Sequence, residues 1–365
     1  MTMRLPVWIL FPAVACGLAG CSTPSPAPLR TPVSALADTN RAGSTVSRPL
    51  PRDWWTAFAD PELDRLVALA RDQNRELEQA AARIDEARAR MRLAGAESAL
   101  QATGTAGAGR TRTSESVGNP LGPGPRNAFG LGVDFSYEAD LWGRVRATRE
   151  AARQQAGVSE AERAALEISL LGRVAAAHFE RLAAAREAAL LGRQLAGYAD
   201  AEQVQRTRAE AGFATELDLQ RVRVEQAARE GELAQARLRA RRAAHALAVL
   251  CGQPPEAVAA EVDPAPASVP EIPGRLSMEL LEARPDVAAA RGVWEVARAR
   301  MDAARAALYP ALRLSGSLGF ETAHAEDLLD WQSRLWALVG GLTAPLLDGG
   351  RLRGQVEIER AQVRR

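Results

Sequence analysis

Between Arg144 and Leu250 the chain runs without a proline and keeps a helical period throughout. Leu166, Leu170, Val174 and His178 recur at a spacing of four, Leu182 extends the stripe, and Arg and Glu fill the other side. Helices of globular domains run about 8–20 residues. A stretch this long cannot bury its apolar stripe alone, so the expected solution is a pair of long helices packed as a coiled coil. His178 lies inside the stripe and reads as a seam residue rather than a metal ligand.

Segments of a different period flank this stretch. Phe129, Leu131, Val133, Phe135 and Tyr137 alternate with Gly130, Gly132, Asp134, Ser136 and Glu138. Leu312, Leu314, Gly316, Leu318 and Phe320 alternate with Arg313, Ser315, Ser317, Gly319 and Glu321. A period of two over about ten residues suits a membrane-barrel strand, with lipid on one side and water on the other. Weaker versions near 100–109 and 336–346 complete two strand pairs, with strands expected at about 100–109, 129–138, 311–321 and 336–346. The same alternation would also fit a strand of a soluble sandwich. Ahead of the first pair, Asp60 as cap, Pro61 at the first helical position and the spacing of Leu63, Leu66, Val67 and Ala70 predict one helix from Pro61 to about Ala99.

The chain repeats itself. Ala87-Arg88-Ala89-Arg90-Met91 returns as Ala297-Arg298-Ala299-Arg300-Met301, and Gly143-Arg144-Val145-Arg146 returns as Gly350-Arg351-Leu352-Arg353, at offsets of 210 and 207 residues. Each copy therefore reads helix, strand, strand, glycine turn, helix. The organisation is a first repeat at 52–251, a Pro- and Gly-rich linker at 252–275 and a second repeat at 276–365.

All 46 basic residues are Arg, and they nearly balance 45 acids, for a net charge of +1. That balance gives no bulk attraction to nucleic acid. The three His are scattered, no HExxH or CxxC spacing occurs, and no nucleophile stands beside a base, so neither a metal, a cofactor nor an enzymatic activity is expected. Of three Cys, two fall in the first 21 residues, which leaves Cys251 without an intrachain partner in the body of the chain. A basic start followed by an apolar stretch from Leu5 to Val14 reads as a signal peptide at 1–20, too short to span a membrane. Leu18-Ala19-Gly20-Cys21 resembles a lipobox, which implies lipidation at Cys21. Ser22 after it implies sorting to the outer membrane. Residues 21–51, rich in Pro, Ser and Thr, read as an extended tether.

Several motifs, in this order and spacing, resemble those of the outer-membrane channel lipoproteins of bacterial efflux pumps: the outer membrane factor family, of the NodT type and TolC-like fold. Trp54-Trp55-Thr56-Ala57-Phe58-Ala59-Asp60-Pro61-Glu62-Leu63 is similar to the family's opening motif. Ser136 to Arg144, with Asp140, Leu141, Trp142 and Gly143, is similar to its strand-to-helix signature. Arg284-Pro285-Asp286-Val287 and Leu342 to Arg351, with Asp348, Gly349, Gly350 and Arg351, are similar to the second-repeat counterparts. Arg208, Gly212, Phe213, Ala214, Thr215 and Asp218 match the hairpin turn at which the long helix reverses and a periplasmic adaptor docks. The 69 residues from Gly143 to Gly212 span about 100 Å as helix, a reach suited to crossing the periplasm.

The resemblance implies a mainly α protein with four membrane strands per chain. Three chains would close one β-barrel, above an α-barrel of paired helical hairpins. It also implies a passive duct for small molecules, working with an adaptor (a membrane fusion protein) and an inner-membrane transporter of the RND type, anchored in outer-membrane lipid. The exit duct of a type I protein-secretion system shares the fold and is the first alternative; a periplasmic coiled-coil adaptor is the second. The repeat offset of 207 puts a second hairpin tip beyond Arg365, so the second repeat is expected to be incomplete. On that expectation the Leu166, Leu170 and Val174 stripe lacks part of its neighbour, and the 365-residue chain alone forms no stable trimer.

Overall fold

The structure is a computed structural model and describes residues 53–112, 114, 124–260, 262, 270 and 281–365. The expectations for the signal peptide, the tether with Cys21, and most of the linker lie outside the described residues.

The first long helix departs from expectation. It breaks at Asn74 into α1, Pro61–Gln73, and α2, Arg75–Glu97, and stops two residues before Ala99. Asn74 is extended, at φ −69° and ψ 124°, and its own N–H closes α1 on the Ala70 carbonyl. Its side-chain oxygen accepts from the Glu76 and Leu77 amides and so starts α2. The amide nitrogen donates to the Leu250 carbonyl at 2.8 Å. Asparagine is among the best N-cap residues, and here that chemistry overrides an apolar period that continues through it. At the other end Asp60 caps α1 as expected, accepting from Glu62 N and Leu63 N at 3.0 and 3.1 Å, with Pro61 at the first position.

Four strands form one antiparallel meander in the order β1-β2-β3-β4. They are β1, Gln101–Arg112; β2, Pro125–Ala139; β3, Ala311–Thr322; and β4, Arg334–Thr343. All four stand where expected, with shifted ends. β4 stops at Thr343 rather than 346, because Pro345 has no N–H to give the ladder. The register stacks Ala106, Leu131 and Phe320 in one row and Gly104, Val133, Leu318 and Trp336 in the next. In the first row β4 contributes Arg334, so this face is apolar across all four strands only from the second row toward the helices. The opposite face carries Thr, Ser, Gly, Asp, Glu and Arg on β1 to β3, while β4 places Leu335, Ala337 and Val339 there. Gly319 lets β2 and β3 approach closely, since a Cβ there would lie 2.4 Å from the Leu131 carbonyl oxygen.

The proline-free stretch forms α3, Arg144–Glu210, and α4, Glu216–Leu250, which pack against each other. From the second repeat come α5, Pro285–Ala306, lying along α3, and α6, Arg351–Arg364, lying against α5. At Gly292 an added Cβ would sit 2.7 Å from the Val158 side chain, so α5 and α3 meet nearly backbone to side chain.

Leu170, Val174, His178 and Leu182 are buried as expected, with Leu166 partly so. The expectation that this stripe is short of a neighbour does not hold. Trp55, Leu63, Leu66 and Val67 from the opening motif and α1 cover it, together with Ala244, Leu247 and Cys251 from α4 and its end. The first repeat supplies its own cover.

Candidate functional site

Residues 208–218 close the α3–α4 hairpin, and the turn is fixed by its own hydrogen bonds. Gly212 takes φ +77°, where an L side chain is strained. Its N–H bonds the Ala209 carbonyl, and the Phe213 N–H bonds the Arg208 carbonyl at 2.8 Å. These two bonds end the helix in a Schellman motif. Three residues on, Thr215 and Asp218 form a capping box. Asp218 Oδ2 accepts from Thr215 N at 3.0 Å and from Thr215 Oγ1 at 2.6 Å. The Thr215 hydroxyl bond, then its backbone bond, hold the Asp218 carboxyl below its ordinary range. Arg208, Gly212 and Thr215 are exposed and Ala214 is half-buried, while Phe213 is 81% exposed. The tip is a hydrogen-bonded turn with an exposed aromatic ring.

The strand-to-helix joints of the two repeats share one construction. After β2, Asp140 accepts from Val145 N at 3.0 Å and Arg146 N at 2.9 Å, while Gly143 turns the chain at φ +81°. After β4, Asp348 accepts from Gly350 N at 3.0 Å and Leu352 N at 2.9 Å, with Gly349 and Gly350 both at positive φ. In each, a carboxylate satisfies two of the orphan donors of the helix start. Burial alone would raise the Asp140 carboxyl, but the Arg146 and Val145 amides outweigh it and lower it. The joints differ in their arginines. Arg144 pairs with Glu138 at 2.8 Å, whereas Arg351 donates its backbone N–H to the Asp348 carbonyl and its charge acts on the Asp348 carboxylate. Leu141 is exposed; Trp142 stacks on Tyr309 at 4.9 Å and donates to the Pro310 carbonyl at 2.8 Å, pinning the first joint to the start of β3.

The family model of the outer membrane efflux protein matches residues 66–253 and 276–365. This chain belongs to the outer membrane efflux protein family. Among curated relatives, the pyoverdine export outer membrane protein OpmQ of Pseudomonas putida is 30% identical over 99% of this chain and 77% of its own length. Outer membrane protein OprJ of Pseudomonas aeruginosa is 34% identical over 95% of this chain and 72% of its own length. A crystal structure of a Pseudomonas aeruginosa membrane protein superposes with a TM-score of 0.80 at 30% identity, covering 88% of this chain and 77% of that one. The fold is TolC-like and the protein is an outer-membrane efflux channel component. No helix among the described residues is long and apolar enough to cross a membrane. A sheet that alternates in this way is the kind of element that crosses a membrane as part of a closed β-barrel.

One polar cluster of this efflux protein escaped the sequence reading. His178, expected as a plain seam residue, places Nε2 2.7 Å from Asp60 Oδ2. Its Nδ1 receives Arg181 Nη2 at 3.3 Å. Donation from a guanidinium requires a bare Nδ1, so the two partners together specify the Nε2–H tautomer. Arg181 is 1% exposed and also donates to the Ala259 carbonyl at 3.0 Å, with Glu62 at 3.6 Å and Nε unpartnered among the described residues. Burial lowers the Arg181 guanidinium, and Glu62 counters it. The cluster ties the opening motif, α3 and the segment after α4 at one point. Its sequence trace is faint: Arg181 lies three residues after His178, on the same helical face.

Proposed function

We propose that this outer membrane efflux protein works as a homotrimer, the passive exit duct of a three-part pump. The observation that carries this reading is the sheet. It has one face that is apolar through its middle rows, bounded at the far end by Arg334, Arg110 and Asn127, and two open edges, since β1 and β4 do not pair with each other. In lipid, every unpaired edge N–H and C=O costs several kcal/mol. Closure by further copies of the same sheet removes those edges, and the polar face then lines a water-filled passage.

The tip at Arg208, Gly212, Phe213, Ala214, Thr215 and Asp218 is the docking point for a periplasmic adaptor, which links the duct to an inner-membrane RND transporter. Cys21 carries lipid that anchors the chain in the outer membrane. The hydrogen-bonded turn and the exposed Phe213 ring support the docking assignment. The cargo is small molecules, delivered by the transporter; the duct itself binds no cofactor and catalyses nothing.

The test is Gly212→Glu in cells that depend on the pump. The expected result is loss of drug tolerance with helical content by circular dichroism unchanged. Normal tolerance with this variant would remove the tip from the docking surface. Mass spectrometry of the mature N-terminus should show a diacylglycerol adduct on Cys21, and a mature chain starting elsewhere removes the anchor.

A further inference from the structure

We propose that Asp134 sets the charge preference of the duct where it crosses the outer membrane; the inference rests on the trimeric reading above. The register decides which residues face water. Asp134 pairs with Thr103 on one side and Ser317 on the other, at mid-height on the polar face. Rows above and below it hold Gly132 with Gly319, and Ser136 with Ser315. Small side chains therefore surround one carboxylate.

The other charges of this face are balanced. Toward the helical end, Glu138 meets Arg144 at 2.8 Å and Arg313 at 3.8 Å. At the far end, Glu321 and Arg126 carry opposite signs on the same face. Asp134 has no cation beside it among the described residues; its hydrogen-bond partner is the Thr105 hydroxyl, at 3.5 Å. Its charge is left to the lumen.

Three copies of the sheet place three such carboxylates in one ring. Twelve strands about 4.8 Å apart, tilted by about 40–45°, close to a barrel roughly 25 Å across at the backbone. The ring thus stands about 10 Å from the axis. The Debye length is ~10 Å at 0.1 M salt and ~3 Å at 1 M. The field of the ring reaches the axis in dilute salt and is confined to the wall in concentrated salt. Rings of carboxylates favour cations.

The experiment is ion selectivity in planar bilayers, using protein extracted from outer membranes, with potassium chloride gradients centred near 0.1 M and near 1 M. Asp134→Asn keeps the shape and removes the charge. The cation-to-anion permeability ratio should fall by at least about twofold in dilute salt and change little near 1 M. Asp134→Arg should invert the preference in dilute salt. Channels of wild-type conductance with unaltered selectivity in both variants would overturn this inference while leaving the duct in place. Failure of the unsubstituted protein to conduct at all would overturn the duct, and this inference with it.

Discussion

Gly252 and Gly212 share a backbone conformation and differ in what surrounds them, which makes them a controlled pair. Both have positive φ, at +66° and +77°. A Cβ at Gly212 meets nothing within 4 Å. A Cβ at Gly252 would sit 2.1 Å from the Gln73 carbonyl oxygen and 2.9 Å from its carbon. Gly212→Ala should therefore cost only the left-handed strain, about 1 kcal/mol. Gly252→Ala adds a backbone clash that must move the end of α4 by more than an ångström. That shift pulls on the Asn74 bond to the Leu250 carbonyl and on Cys251 against the Leu66 carbonyl. Overpacking costs about 1–3 kcal/mol and a lost buried hydrogen bond about 1–3 kcal/mol. The total for Gly252→Ala is about 3–7 kcal/mol. The assay is thermal unfolding in detergent followed by circular dichroism. The midpoint should fall by roughly 4–9 °C for Gly252→Ala and by about 1 °C for Gly212→Ala. Equal shifts in the two variants would refute the claim that the α4 end is seated on the Asn74 break.

Asp140→Ala and Asp348→Ala should each cost about 1 kcal/mol through the lost caps; hydrogen exchange should accelerate several-fold at the amides of Val145 and Arg146 in the first and of Gly350 and Leu352 in the second, and unchanged protection would contradict the capping role. Burial pushes the Cys251 thiol up, so peptide mapping after alkylation of the native protein at pH 8 should find Cys251 unmodified until the fold opens; prompt native labelling would be incompatible with its position. The Asp60 carboxyl is opposed by burial but held below its ordinary range by His178 and the Leu63 and Glu62 amides. Its contribution to stability is then complete above the unfolded value of about 4 and lost as pH falls through the depressed folded value. Asp60→Asn should be less stable than wild type at pH 7, with the gap closing as the solution is acidified towards and below that range, and a gap that stays constant with pH would rule the linkage out.

The strands β2 and β3 were readable because alternation of Phe129 to Tyr137 and Leu312 to Phe320 is a direct image of two solvents on two faces. β1 was fainter because Ala and Gly make up its apolar side, leaving little contrast with Thr. The tip and the joints were readable because a reversed or cornered backbone calls for glycine with a nearby carboxylate or hydroxyl, and these sit within a few residues. Asn74 was hidden because its capping contradicts the period around it. The His178, Arg181 and Asp60 cluster was hidden for a different reason: Asp60 and His178 lie 118 residues apart, and no local pattern announces a contact formed only when α1 docks on α3.

The Asp140–Gly143 joint also sets the rotational phase of everything beyond it. A helix turns about 100° per residue, and the carboxylate bonds to Val145 and Arg146 fix where that turning begins. One residue inserted between Gly143 and Arg144 would swing Leu170, Val174 and His178 a quarter-turn away from Leu63 and Leu247 along the whole of α3. One residue inserted between Gly212 and Thr215 would lengthen a loop and leave both helices in phase. Tolerance to change in chain length therefore lies at the far end of the hairpin, and the membrane end keeps count.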